Sequence, residues 1–317
     1  MRVLVTGGLG YLGSVLVTKL VERGCKVKVL DSMLYGNYLA EKDEGFELIK
    51  GDLRDNKILQ RAMDGVEAVI HLAGIIGDAA ANLDMELTID VNYLATVRLA
   101  DLCSKRDVKL VFSSTCSVYG AQPNQLITEK SKVAPLSLYA FSKLLSEEAI
   151  RRRCKRYVIF RLGTMFGLSP RMRFDLVVNR FIAQAIQDGE IRVYGGEQYR
   201  PFVHLQDVSE YFIKALDGDV SGTYNIGGNN YRIIEVAELL RQKLGCEVVI
   251  EKEQKDPRNY AVDSTLVKET FGNRNFIEID LAVDEIKSAY SRGIVKDYKA
   301  SVFDNEKWLR QLWRIQS

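Results

Sequence analysis

Tyr139 and Lys143 stand four positions apart in a run with helical periodicity, so their side chains share one face of that helix. The pair suits proton abstraction. A free phenol has a pKa near 10, so only about 0.1% of it is phenolate at pH 7. A neighbouring ammonium and a nearby positive ring both favour the phenolate, and a downward shift of roughly 3 units, on the order of 4 kcal/mol, makes it a competent base. The spacing alone recurs by chance on amphipathic helices, so it needs company. Ser113-Ser114-Thr115 supplies some, at the end of the apolar run Leu110-Val111-Phe112, where hydroxyls can orient a substrate toward Tyr139. Capping a turn is the plainer use of Ser113 and a weaker account of Thr115.

A second constellation concerns phosphate. Thr6-Gly7-Gly8-Leu9-Gly10-Tyr11-Leu12-Gly13 falls between an apolar strand and a helical run. Gly8, Gly10 and Gly13 satisfy G-x-G-x-x-G, and Gly7, Gly10 and Gly13 satisfy its longer variant. Such glycines allow a tight turn and a close approach of the backbone to a pyrophosphate seated on the helix N-terminus. Asp31 closes the next strand, roughly 20 residues on, where a carboxylate accepts from ribose hydroxyls and repels a 2′-phosphate. No arginine follows in Ser32-Met33-Leu34-Tyr35, so the cofactor expected is NAD rather than NADP. Gly51-Asp52-Leu53, after the third strand, is placed to meet the adenine edge.

The elements that must position these residues alternate. Strand-like runs at Val3–Val5, Val27–Leu30, Phe46–Ile49, Ala68–His71, Leu110–Ser113 and Tyr157–Phe160 are separated by helical runs. The helices are expected at Leu12–Glu22, Asn56–Met63, Leu83–Cys103 and Leu138–Arg153. Short continuous apolar strands and this alternation imply an α/β fold, a doubly wound parallel Rossmann sheet. After Arg161 the pattern loosens into short strands (Ile191–Tyr194, Val248–Ile250) and helices near Asn179–Gln187, Val208–Leu216 and Ile234–Leu244. We therefore expect a dinucleotide-binding domain over 1–165 and a smaller C-terminal α/β substrate-binding lobe over 166–317, with some segments returning to the main sheet.

Composition narrows the function classes. A chain of 317 residues, 47% hydrophobic with net charge +2, is globular and offers no electrostatic footprint for nucleic acid or an anionic membrane. The basic run Arg151–Arg153 with Lys155-Arg156 reads as a solvated helix end. No apolar run is long enough to span a bilayer, and with the first strand beginning at Arg2 no leader is expected. Five cysteines without a Cys-x-x-Cys pair suggest reduced thiols and a cytoplasmic setting. His71 and His204 both sit in apolar runs, so no metal site is expected.

Taken together, these strings resemble the extended short-chain dehydrogenase/reductase superfamily, in its NAD-dependent nucleotide-sugar epimerase/dehydratase branch. The resemblance rests on Thr6–Gly13, Gly51–Leu53, His71-Leu72-Ala73-Gly74, Asn92, Ser113–Gly120, Tyr139-x-x-x-Lys143 and Arg200-Pro201-Phe202-Val203-His204-x-x-Asp207, in the family's order over most of the chain. It implies a catalytic triad of Thr115, Tyr139 and Lys143. It implies NAD contacts from Gly7, Gly10, Tyr11, Leu12, Asp31, Asp52, Leu53, Leu72, Ala73, Asn92, Ser113, Tyr139 and Lys143. A nucleoside-diphosphate sugar, expected to be UDP-linked, would meet Thr115, Ser117, Thr164, Arg171, Asn179, Arg200, Arg258 and Tyr260. Relatives pair through helices corresponding to Leu83–Cys103 and Leu138–Arg153, which implies a homodimer.

Branches of the family differ just after Thr115. Sugar 4,6-dehydratases carry Asp-Glu there, UDP-glucuronate decarboxylases keep a glutamate at the second position, and GDP-sugar 3,5-epimerases place a cysteine at it. Cys116-Ser117 matches none of these and is similar to 4-epimerases, with Ser-Ser-x-x-Ser-Val-Tyr-Gly. The expected reaction is inversion at C4 of a UDP-hexose or UDP-hexuronate through a 4-keto intermediate. Thr164 with Arg171, seven positions on, is similar to a pair that binds the C6 carboxylate in UDP-glucuronate 4-epimerases, although Leu168–Asp175 departs from their pattern. The alternatives are a keto-sugar reductase or dehydrogenase using the same triad with exchangeable NAD(P), and a non-catalytic dinucleotide sensor.

Overall fold

A computed structural model describes residues 1–39, 45–122, 125–251 and 258–316. Each β-branched apolar run forms a strand and each amphipathic run after it a helix. The first units are β1 (Arg2–Thr6), α1 (Tyr11–Glu22), β2 (Lys26–Asp31), β3 (Phe46–Lys50), α2 (Asn56–Ala62) and β4 (Ala68–His71). α2 starts where the Asp55 carboxylate accepts from the N–H groups of Lys57 and Ile58. Next come α3 (Asp78–Ala81), α4 (Met85–Ile89) and α5 (Ala95–Lys105), the last two joined by a π-helical turn at Asp90–Leu94. The helix expected from Leu83 therefore begins later. Asp84 caps it, accepting from Leu87 N–H at 2.9 Å, and the π turn gives it one wider coil.

β5 (Lys109–Thr115), a 3₁₀ turn at Cys116–Tyr119, β6 (Leu126–Ile127), α6 (Leu138–Arg153), β7 (Tyr157–Leu162) and β8 (Thr164–Phe166) follow. α6 begins at Ser137, whose hydroxyl accepts from Ala140 N–H at 3.2 Å. The remainder comprises α7 (Val177–Gln187), β9 (Glu190–Tyr194), β10 (Tyr199–His204), α8 (Leu205–Lys214), β11 (Gly222–Ile226), β12 (Asn229–Arg232) and α9 (Ile233–Leu244). β13 (Glu247–Glu251), β14 (Ala261–Val262), α10 (Thr265–Phe271), α11 (Ile279–Ser291) and α12 (Asn305–Gln316) complete the chain.

Seven strands pair in parallel in the order β11-β7-β5-β4-β1-β2-β3, a doubly wound Rossmann sheet. Its edge strand β11 comes from far beyond residue 165, and α8 packs on α1. A three-stranded sheet β12-β10-β8 and the pairs β13-β9 and β14-β6 form the smaller lobe. Alternation along β1 divides the core: Val3 and Val5 join one buried cluster and Leu4 the other. Each such fully buried aliphatic side chain contributes roughly 1.5–3 kcal/mol. The basic run at the end of α6 is ion-paired, Arg151 to Glu147 and Glu148, and Arg153 to Asp101. Among the described residues no helix is long and apolar enough to cross a membrane.

Candidate active site

A cavity of about 390 Å³ opens over the C-terminal edge of the sheet, where the strand order reverses between β1 and β4. Its floor is the glycine turn. Gly7 holds φ +71° and lies so close to the next strand's loop that a Cβ would stand 2.6 Å from the Ala73 backbone nitrogen. A Cβ on Gly13 would meet the Gly7 carbonyl and the Gly8 backbone. At Gly10, α1 starts with no side-chain cap and no acid in its first turn, so its first N–H groups stay available to an anion. Asp31 is fixed at the end of β2, accepting from Leu9 N–H at 3.0 Å and Met33 N–H at 2.8 Å. Burial raises its carboxyl pKa, and those two donors oppose the rise. Asp52 and Leu53 line the far end, with Asp52 held by Arg54, whose hydrogen bonds lower its pKa. Leu72 and Ala73 close the side toward β4. A glycine cradle, an uncapped helix start and a fixed carboxylate form a set that fits a dinucleotide.

Thr115, Ser113 and Tyr139 line the same cavity above this floor. Thr115 Oγ1 accepts from Ser117 N–H at 3.1 Å. Lys143, a turn further along α6, is 1% exposed and does not line the cavity. Its Nζ donates to the Ser113 carbonyl at 2.8 Å and lies over the Phe112 ring. Burial lowers the ammonium pKa to about 7, against the pull of Glu147. Burial pushes the Tyr139 phenol up, Asp78 adds to this, and Arg173 and Thr115 oppose it. The downward shift expected from Lys143 is therefore not a property of the protein by itself. The ammonium is spent on a carbonyl, and desolvation outweighs the remaining positive charge.

Beneath the trio lies a continuous polar chain. Thr6 Oγ1 meets His71 Nδ1 at 2.7 Å, and His71 Nε2 meets Thr96 Oγ1 at 2.8 Å. Thr96 donates to the Asn92 carbonyl. Burial lowers the His71 pKa to about 3, so the ring is neutral. Asn92 sits in the π turn, with Oδ1 accepting from Ile75 N–H at 2.7 Å and Nδ2 donating to the Ile75 carbonyl and to Ser142. Asn92, expected as a cofactor contact, holds the loop at Ile75 that lines the cavity. A further network locks β5, α6 and β7: Arg161 forks onto the fully buried Glu147, which also accepts from Ser114 at 2.5 Å.

The opposite wall comes from the second half of the chain. Ser117, Thr164, Arg171 and Tyr260 line it. Asn179 does not. Its amide is consumed by Gly167 N–H, the Tyr11 hydroxyl and the Arg173 carbonyl, so it ties segment 167–173 to α1. Tyr11 is likewise spent, donating to the Gly167 carbonyl at 2.7 Å, and presents only its backbone and ring. Arg200 stacks over the Tyr260 ring and donates to the Tyr199 and Arg258 carbonyls. Arg258 pairs with Asp78 at 2.8 Å. Neither arginine is part of the cavity lining, so the three expected diphosphate contacts Asn179, Arg200 and Arg258 act as supports in this conformation.

Sequence reasoning missed Tyr35, Arg173 and Asn305, which line the cavity. Arg173 is locked on Asp175 by two hydrogen bonds, at 2.9 and 2.6 Å. Arg171 is 2% exposed and stacks on Tyr35 at 4.6 Å, and its Nε and Nη2 have no hydrogen-bond partner among the described residues. Burial and then the Arg173 charge lower its pKa to about 10. No motif marks Asn305; only the fold brings it here.

A family model described as the NAD dependent epimerase/dehydratase family matches residues 3–227. The chain is 29% identical to UDP-glucuronic acid decarboxylase 4 of Arabidopsis thaliana over 330 residues, spanning 97% of this chain and 70% of that protein. It is similar to the UDP-glucose 4-epimerase of Thermus thermophilus, solved with NAD, at TM-score 0.79 and 27% identity over 91% of this chain and 100% of that one. It is also similar to MoeE5 in complex with UDP-glucuronic acid and NAD, at TM-score 0.81 and 26% identity over 92% of this chain and 100% of that one.

Proposed function

We propose, for a chain that belongs to the NAD dependent epimerase/dehydratase family, that it inverts C4 of a UDP-hexose or UDP-hexuronate. The family is NAD dependent, and NAD is the cofactor that the glycine turn and Asp31 fit. When bound, it supplies the hydride acceptor and a positively charged ring. One observation carries the reading. Beside Tyr139 the described lining residues after β5 offer hydroxyls, from Ser113, Thr115 and Ser117, and the nearby Asp78 carboxylate stays outside the lining. The only carboxylates among the described lining residues are Asp31 and Asp52, both on the adenosine side. Water elimination needs an acid and a base beside the sugar, and the described lining residues supply no such carboxylate pair there.

In this reading Thr115 orients the C4 hydroxyl and Tyr139 accepts its proton. Lys143 keeps the Ser113 carbonyl in place below them. The 4-keto sugar, held by its nucleotide end, turns its other face before Tyr139 returns the proton. Because burial keeps the phenol neutral in the protein alone, base strength arises only when the cavity is filled.

UDP-glucuronate decarboxylases are among the relatives, so the test must separate the two outcomes. Protein as purified, with no cofactor added, is incubated with UDP-glucose and with UDP-glucuronate, and products are read by NMR. A C4 epimer from either substrate supports the proposal. Carbon dioxide with a pentose product, or turnover only with added NAD(P)H, contradicts it. We extend the proposal to a homodimer through α4, the π turn, α5 and α6, where Met85, Leu94 and Phe141 expose apolar surface. Sedimentation of Phe141→Glu at half the wild-type mass is the expected result.

A further inference from the structure

α12, at the far end of the chain, meets the cavity at its first residue, Asn305. Leu309 is fully buried against Ile75, Ala80 and Ala81. Trp308 Nε1 donates to the Leu34 carbonyl at 2.7 Å, and Asn305 Nδ2 donates to the Ile76 carbonyl at 3.2 Å. One helix thus fastens two cavity walls: the segment after Asp31 and the loop after β4. Nothing else in the fold joins these two walls from the C-terminal side with hydrogen bonds among the described residues.

Asn305 also enters the cavity lining. It is 4% exposed, and its Oδ1 has no hydrogen-bond partner among the described residues. The same holds for the Tyr35 hydroxyl and for Nε and Nη2 of Arg171, which stacks on Tyr35. Native folds rarely leave such atoms unpaired, because each gives up its hydration with nothing in return. The chemistry of the trio is specific. Arg171 and Tyr35 are donors and suit phosphate oxygens, whereas Asn305 Oδ1 is an acceptor and needs a hydroxyl or N–H. The Asn305 orientation follows from its bond to Ile76, since a carbonyl requires the NH₂ side.

Donors beside an acceptor describe a ribose joined to a phosphate. The position selects which ligand. Arg171 belongs to the segment that Ser169, Gly167 and Asn179 tie to the start of α1. Tyr35 follows Asp31 by one short loop. Tyr35 and the Leu34 carbonyl that holds α12 thus stand beside Asp31, the carboxylate placed for a ribose, which puts Asn305 next to the dinucleotide's end of the cavity.

We propose that Asn305 accepts a hydrogen bond from a ribose hydroxyl of the bound dinucleotide, and that α12 is a strap that retains the cofactor. The helix must lift for NAD to leave. This rests on the NAD dependence of the family and not on the reaction at C4.

The test reads cofactor retention in the full-length protein. NAD carried through purification is quantified after acid release, and its dissociation is timed by exchange with labelled NAD. Asn305→Leu keeps the side-chain size and removes the acceptor, and it is expected to shorten the retention half-time by tenfold or more. Trp308→Phe, which frees the Leu34 carbonyl, is expected to shorten it severalfold while leaving UDP-sugar affinity unchanged. Asn305→Ala serves if the leucine variant does not fold. Half-times within twofold of wild type in the Asn305 and Trp308 variants overturn the proposal. So does a loss of UDP-sugar affinity with NAD retention intact, which would assign Asn305 to the other ligand. C4 chemistry could fail entirely and leave this result standing.

Discussion

Beneath Tyr139, outside the cavity lining, the polar side chains are paired before any ligand arrives. Thr6, His71, Thr96, Asn92 and Ser142 form one hydrogen-bonded chain, and Lys143 is anchored on the Ser113 carbonyl. Across from them, Arg171, Tyr35 and Asn305 end in atoms without partners. The layer beneath is complete in itself, whereas the opposing wall keeps polar atoms that a ligand would pair. A site built this way fixes its reacting groups by folding and uses ligand binding to close around them. It also accounts for the neutral Tyr139 phenol: the pocket is desolvated but its counter-charges come with the ligand.

The sharpest way to separate the two regions is to remove function without structure above the paired layer. Tyr139→Phe is expected to lower kcat by about 10³-fold, roughly 4 kcal/mol, with melting temperature unchanged, as read by epimerisation assay and calorimetry. An active variant would end the proposed chemistry. Glu147→Ala attacks the support beneath instead. It strands the buried Arg161 guanidinium, and a loss of about 3–5 kcal/mol is expected in denaturant unfolding.

Acid probes the same region more gently. His71 is held near pKa 3 in the fold, while an unfolded histidine takes its proton near 6.5. Between those values the unfolded chain binds more protons, so stability falls as pH falls, by up to roughly 1.4 kcal/mol per pH unit. Melting temperature measured from pH 7 to pH 4 should show this slope, and His71→Asn should flatten it. On the opposing wall the sign reverses. Arg171→Met removes a buried charge with unpaired donors, so the ligand-free protein should be unchanged or more stable by about 1 kcal/mol. Its ligand-induced rise in melting temperature should shrink. A destabilised ligand-free variant would show that Arg171 has a structural partner after all.

The two regions also differ in how far sequence exposes them. The glycine floor and the layer at Tyr139 are written in local strings: Gly7 to Gly13 with Asp31, and Tyr139 with Lys143 on a helix whose bounds Leu138–Arg153 follow from its cap and periodicity. Each string works because neighbours in sequence are neighbours in the turn or on the helix face. The opposing wall is assembled by tertiary contacts. Asn179, Arg200 and Arg258 carry the right chemistry for diphosphate, yet packing spends them on Gly167, Tyr260 and Asp78. Asn305 has no local signal, because its role depends on where α12 lands. The short pairs β6 with β14 and β8 with β10 and β12 escape detection for the same reason, being stabilised across the lobe rather than along the chain. The start at Met85 was hidden because Asp84 caps from inside an apolar stretch.

The central claim is that one hydride leaves C4 and returns to C4 within a single bound complex. UDP-glucose deuterated at C4, incubated with the protein as purified in ordinary water beside unlabelled NADH, tests it most directly. UDP-galactose that retains the deuterium at C4 is the predicted result, with UDP-glucuronate labelled at C4 giving the same outcome if the uronate is the substrate. Products that have lost the label to NADH, or a label that leaves with no epimer formed, would contradict it.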